Sequence, residues 1–373
     1  VKRRQKKRKH ARRVQHAQAT RTPDRPTLMI SAADCPTVDN GHIVPRMYQR
    51  AWEVEGRQVA VHELGRSGCE VKSSKLVGAR GPYYRRTRPR HGTQTDDIEA
   101  SLAHVENKAT PALRQIVAGE PFTVERKGAL AQLFGLQMMR GPAFFEKHEE
   151  IQRSVLEGAR ASDLKPRHLA AVGGDVDLAR SQVIEVLLSP TSRFMTMLSY
   201  ATKVAAILSQ MRWHVVRFNG PLLAYSDHPV VLWPMNVERT RPFFRQGLGP
   251  LTMLEIRVPI APDAAILMNW IDHSDEVGVS LKPRAAAELN AFTVAQADKE
   301  WMHRPDSEPE IADDVFSPLS RLVDPTYDRA AAERSARRAH AEAFNKRSRA
   351  RKWVNELDVV VEIGSQPALQ AAA

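Results

Sequence analysis

The chain has 373 residues, 42% of them hydrophobic, and a formal net charge of +12. That size and apolar content support one large folded domain or two ordinary ones and exclude wholesale disorder. No apolar run approaches the roughly 20 residues that span a bilayer, and no apolar signal segment follows the basic start, so a cytoplasmic protein without membrane association is expected.

The charge belongs to the ends. Residues 1–13 hold nine Lys or Arg and no acid, and residues 328–352 hold nine against Asp328, Glu333 and Glu342, so the remainder is slightly acidic. Such ends can grip phosphate backbones without reading sequence, which makes nucleic acid a candidate partner; the competing reading is solvated tails. Val1 reads as a literal translation of a non-Met start codon and Met29 as an alternative beginning. A chain starting at Met29 is expected to keep the fold. The two cysteines, Cys35 and Cys69, exclude a disulfide framework and a metal site built from cysteine alone.

In chain order, residues 1–28 lack apolar periodicity and predict a disordered basic arm. Ile43, Val44, Met47, Tyr48 and Trp52 form an apolar patch, with a helical turn expected after Pro45. Gln58–Glu63 alternates and predicts a strand. Asp96-x-x-Glu99 is a capping box before a helix carrying Ile98, Leu102, Val105 and Ala109. Thr110-Pro111 is expected to restart a shorter helix ending at Gly119.

Helices follow over roughly 124–140, 144–157, 176–188 and 193–210, the last with a wide apolar stripe. The period then changes: Trp213–Phe218 and Leu222–Ser226 predict a β-hairpin through Asn219-Gly220-Pro221. Leu251–Ile260 and Ala264–Asn269 predict two strands joined at Ala261-Pro262-Asp263, and Pro283 opens a helix expected to reach about His303. The fold class is α+β, a predominantly helical body with a small antiparallel β-sheet. The expected organisation is a basic arm (1–28), a main domain (40–305), an acidic linker (306–327), and a basic helix and tail (328–373) containing Val359–Ile363.

Two short signatures stand out, G-H-I-V-P-R-M-Y at 41–48 and L-L-A-Y-S-D-H-P-V-V at 222–231. His42–Tyr48 is similar to the H-x-V-P-x-x-Y/F start of domain-of-unknown-function family 4238. Tyr83-Tyr84, the pairs Ile98-Glu99 and Val105-Glu106, Gln137 with Arg140, and Tyr225-Ser226-Asp227-His228-Pro229 resemble further family signatures in the same order. Val258-Pro259-Ile260-Ala261-Pro262 and Leu289-Asn290…Ala297 complete a resemblance covering about 42–305. Tyr225 stands for the family's Thr and Ile260-Ala261 for its Leu-Ser, which takes weight from hydroxyls at those positions. The resemblance implies a bacterial source and a role in defence against phage, and it leaves the reaction open.

Four polar residues inside these apolar segments are the candidate site. His42 can serve as metal ligand or general acid–base, or as a structural histidine bonded to backbone. Asp227, at the end of an apolar strand, is a candidate general base or metal ligand, or the organiser of an Asx turn. Gln137 and Arg140 extend an inward stripe; they can clamp an anion, or Arg140 can pair internally with Glu99 or Glu106. Ser226-Asp227-His228 is no catalytic triad, because successive strand residues point to opposite faces. No P-loop, G-x-G-x-x-G, C-x-x-C or H-x-x-x-H spacing occurs.

Three readings follow: a hydrolase or nuclease on a phosphate-containing substrate, with a divalent metal as a candidate cofactor; a nucleotide- or nucleic-acid-sensing module without turnover; and a nucleic-acid binder acting through its basic ends. The first two place His42, Gln137, Arg140 and Asp227 in one site.

Overall fold

The computed structural model describes residues 42–78, 86–87, 94–95, 97–234, 253–270, 275–313, 319 and 326–344. The basic arm, Tyr83-Tyr84, the Asp96 cap, Val359–Ile363 and the C-terminal tail lie outside the described residues.

The first described element is α1 (Arg46–Gln49), continued by a 3-10 turn over Arg50–Trp52. Pro45 sits immediately before its first helical residue. Strands β1 (Gln58–Glu63) and β2 (Glu70–Ser73) and the short pair β3 (Arg86–Thr87) and β4 (Gln94–Thr95) follow. A helical run comes next: α2 (Asp97–Val117), α3 (Val124–Arg140), α4 (Pro142–Glu157), α5 (Pro166–Ala171), α6 (Val176–Leu187) and α7 (Pro190–Gln210). Then come β5 (Arg212–Arg217), β6 (Tyr225–Ser226), β7 (Val231–Pro234), β8 (Met253–Ala261), β9 (Ala264–Asn269) and β10 (Glu276–Ser280). The described elements end with α8 (Pro283–Ala295), β11 (Glu300–His303) and α9 (Arg329–Phe344).

The fold is α+β, but its sheets are larger than the small antiparallel sheet expected. One has four strands in the order β2-β1-β11-β6, and the other has five in the order β10-β5-β9-β8-β7. Nor is the pairing solely antiparallel, because β10 runs parallel to β5. Alternation explains the five-stranded sheet. Trp213, Val215, Ile266, Met268, Ile256 and Val258 belong to the large core shared with α3 and α7, whereas Val216, Ala265 and Leu267 pack with Ala285, Ala286 and Leu289 of α8. A sheet covered on both faces needs apolar residues on both, and β9 is buried throughout.

The expected hairpin does not form. Arg212–Arg217 pairs with β9 and β10, while Tyr225-Ser226 pairs with β11 in the other sheet. Asn219-Gly220-Pro221 is a crossing between sheets: Phe218 N donates to Asp263 O, and Leu223 N to Pro262 O. Two other expectations are corrected. Helix α2 runs through Pro111 without a break; one absent N–H removes a single backbone bond, while buried Ala109, Ala112, Leu113 and Ile116 hold both halves in the core. The helix opened by Pro283 ends at Ala295, and residues 300–303 are a strand. Residues 306–313 carry no helix or strand and lie against α8, with Ala312 N donating to Ala287 O and Asn290 Nδ2 to Glu310 O.

Helices α3 and α7 cross at Gly135. A Cβ there would stand 2.6 Å from Ala201 O and 3.0 Å from Ala205 N, both backbone atoms. Gly135→Ala is therefore expected to destabilise by about 1–3 kcal/mol, despite alanine's helix-propensity advantage of about 1 kcal/mol. Urea unfolding checks this; a variant as stable as the parent would contradict the close crossing.

Candidate functional site

The His42–Trp52 segment is fixed from several sides. Pro45 prevents the preceding residue from continuing a helix, and Gln49 Nε2 donates to Val44 O (3.0 Å) and Val77 O (3.1 Å). Ile43 N donates to Gly78 O, and Gly78 adopts a positive φ of 64° that glycine tolerates. Tyr48 and Trp52 stack on each other, Tyr225 of the second signature meets Tyr48 edge-on and Trp52 at a tilt, and the Tyr48 hydroxyl donates to Pro259 O. The two signatures are thus packed together, and most of the first is core.

His42 leads this segment, with Nε2 3.1 Å from Lys75 O. A carbonyl oxygen only accepts, so this nitrogen carries the hydrogen. Burial lowers the His42 pKa against the opposing effect of Lys75 O, and the charges of Arg46, Arg140 and Glu106 are close enough to act on it. Arg140 Nη1 meets Glu106 Oε1 at 2.6 Å, with the arginine side chain 2% exposed. That ion pair is the internal alternative for Arg140, made with Glu106. Gln137 lies one helical turn before Arg140, on the same face of α3. Its amide is buried, and neither Nε2 nor Oε1 has a partner among the described residues. Arg46 Nε is also buried without one.

Asp227 follows β6 and is 2% exposed. Its Oδ1 accepts from Asp298 N (2.8 Å), and its Oδ2 accepts from Lys299 N (2.8 Å) and Glu300 N (3.3 Å). Asp227 N donates in return to Glu300 O. One carboxylate therefore holds the three residues that lead from α8 into β11. Burial first, and then the Asp298 carboxylate, raises its pKa from 3.8 to about 6, against the backbone bonds that favour the charged form. Ser226 Oγ donates to His228 O and accepts from His228 N, a local turn that leaves no triad.

These parts adjoin through the end of α3. Gly141, next to Arg140, is so close to the second signature that a Cβ would stand 3.1 Å from Asp298 Oδ2 and 4.0 Å from His228 Nδ1. Gly78 N donates to Glu300 Oε1 at 2.9 Å, tying the His42 segment to the Asp227-held turn. Neighbouring groups thus run from Glu106 and Arg140 to Gly141, Asp298 and Asp227, and the His42 segment joins them through Gly78 and Glu300.

Sequence reading missed Asp298 and Glu300, which fall in a stretch expected to be helix. It also missed Glu255 and Arg257, an ion pair of 2.6 Å with both side chains fully buried. Their signal was two charges two residues apart in an apolar strand, which places both on one face. Arg257 also lies over the Trp233 and Phe292 rings, at 4.6 and 5.2 Å from their centroids. A third omission was a histidine pair, His62 and His303. At the basic C-terminal end, Arg329, Arg334 and Arg337 of α9 face Asp328 or Glu333.

No helix among the described residues is long and apolar enough to cross a membrane. The family model described as "Protein of unknown function (DUF4238)" matches residues 40–307, so the chain belongs to that family. No curated protein and no solved structure matches the chain.

The raised Asp227 pKa sets a pH dependence. Between about pH 4 and pH 6 the folded state holds a proton that the unfolded chain has released, so stability falls as pH rises through this window and levels off above it. A rise from 3.8 to about 6 corresponds to roughly 3 kcal/mol. Denaturant unfolding of wild type and Asp227→Asn across pH 3.5–8 isolates the contribution, and a constant difference between them would contradict it.

Proposed function

We propose that the junction at the end of α3 recognises a phosphate-bearing ligand, with Arg46 and Arg140 supplying charge and Gln137 and His42 hydrogen bonds. The observation that carries this reading is the Gln137 amide, buried with both polar atoms unpartnered one helical turn from Arg140. A buried amide without partners costs about 1–3 kcal/mol per group, and a ligand or ordered water that completes its bonds removes that cost. Arg140 on the same helix face, and the charges of Arg46 and Arg140 that act on His42, favour an anionic ligand. In the defence role implied for the family, that ligand is a nucleotide signal or a phage nucleic acid.

A second reading, hydrolysis of the bound phosphoester by a hydrolase or nuclease, is favoured by the Asp227–Asp298 carboxylates beside His228. A carboxyl group with a pKa of about 6 can exchange a proton near neutral pH. Asp227 is also bonded to three backbone N–H groups, so in this reading it supports Asp298 and His228, and Asp227→Asn disturbs the turn as well as the chemistry.

Calorimetric titration with inorganic phosphate, ATP and a short single-stranded oligonucleotide tests recognition. Saturable binding of at least one is expected, weakened about tenfold in Gln137→Leu, with stability kept or raised because leucine has no polar atom to satisfy. Binding unchanged in Gln137→Leu, or no binding of any probe, contradicts the proposal. Phosphate release or strand cleavage, with and without Mg2+, separates hydrolysis from recognition.

A further inference from the structure

His62 on β1 and His303 on β11 lie on adjacent antiparallel strands. The register pairs His62 with Trp301 and Ala60 with His303, so the two histidines are diagonal neighbours on one face. The Trp301 ring stacks on His62 with centroids 3.8 Å apart and planes 2° apart, which fixes the imidazole plane. His303 is 4% exposed, and its Nδ1 lies 2.7 Å from Arg304 O and 2.8 Å from Ser307 O. Both partners are carbonyl oxygens, so Nδ1 carries the hydrogen and Nε2 of the neutral ring presents a lone pair. That lone pair faces His62 Nε2 at 3.1 Å.

A proton or a metal ion can bridge two such nitrogens, and the third group decides between them. Cys69, exposed and free, stands in the turn between β1 and β2, and its Sγ and one ring nitrogen of each histidine all lie within 4.8 Å of one another. The turn reaches this position through Gly65 and Gly68, whose φ values of 81° and 87° suit glycine. Tetrahedral zinc with Zn–N bonds of about 2.0–2.1 Å separates two nitrogen ligands by about 3.3 Å, close to the 3.1 Å found. A metal-ligating histidine usually donates its other ring N–H to a carbonyl or carboxylate, as His303 Nδ1 does here.

We propose that His62, Cys69 and His303 bind one Zn2+, with water in the fourth position. Two imidazoles and a thiolate are the borderline-soft set that zinc takes, and three protein ligands leave one position open. The site is independent of the ligand assigned to the Arg140 junction. It ties the β1–β2 turn to β11, the strand that Asp227 sets in place.

The test uses the full untagged chain, stripped with chelator and titrated with Zn2+ against a chromophoric competitor, with Co2+ as a spectroscopic substitute. One equivalent of Zn2+ is expected, and the Co2+ form is expected to show thiolate-to-metal charge transfer and tetrahedral d–d bands. Cys69→Ser, a change at an exposed position, is expected to abolish the charge-transfer band and weaken Zn2+ binding at least about tenfold; Cys35→Ser is expected to change neither. His62→Gln is expected to abolish stoichiometric binding, with circular dichroism reporting that the variant is folded. Failure of the wild-type chain to bind stoichiometric Zn2+, or retention of the charge-transfer band in Cys69→Ser, overturns the proposal.

Discussion

The carboxylate of Asp227 accepts hydrogen bonds from three successive backbone N–H groups, those of Asp298, Lys299 and Glu300. Much of the functional architecture depends on this contact. After α8 the chain must turn into an extended strand against the buried Asp227 side chain, where backbone N–H groups facing inward without partners would be costly. One side chain supplies the acceptors, and the strand that follows joins β1 to β6. The same turn sets Asp298 against Gly141, aims Glu300 at Gly78 N, and begins the strand that ends at His303. The most prominent acidic residue of the second signature thus has a structural task that any chemical role must share.

The chain also buries more ionic groups than a simple apolar core would. Arg140 pairs with Glu106, Arg257 with Glu255, and Lys127 with Asp275 and Met211 O. Desolvation offsets most of the attraction in such pairs, and removing one partner strands the other at a cost of about 3–5 kcal/mol. Their value lies in where they are. Arg140 closes the end of α3 against α2, Arg257 lies over the adjoining aromatic rings of Trp233 and Phe292, and Lys127 holds the start of α3 to the beginning of β5, since Asp275 also accepts from Trp213 N. Gln137 differs from all of these. It is buried with an amide that nothing in the described structure satisfies.

Elements with local signals were legible in the sequence. Pro45 stands immediately before a helix start, and the apolar stripe of 193–210 lies in α7. The strands β8 and β9 around Pro262-Asp263 were equally clear, because their turn is local. The hairpin expectation failed because Asn219-Gly220-Pro221 carries the same turn residues as a hairpin, while pairing was decided by distant strands β9 and β11. The overlong helix from Pro283 failed for a related reason: the acceptor that ends helical bonding at 298–300 sits about 70 residues earlier. Of the candidate site, His42, Gln137, Arg140 and Asp227 were legible as polar residues set in apolar segments, as was Glu106 as an option for Arg140. Their roles were not, since Lys75 O, Gly141 and Asp298 reach them only through folding. His62, Cys69 and His303 had no motif at all, because strand pairing alone brings them together.

The dependence of this architecture on Asp227 is most directly tested by amide hydrogen exchange on wild-type protein and Asp227→Asn under native conditions. An asparagine keeps one acceptor but sets an NH2 group against the remaining backbone donors. The account predicts that the amides of 298–303 lose protection while those of α3 and α7 retain theirs. Unchanged protection at Asp298, Lys299 and Glu300 would contradict it.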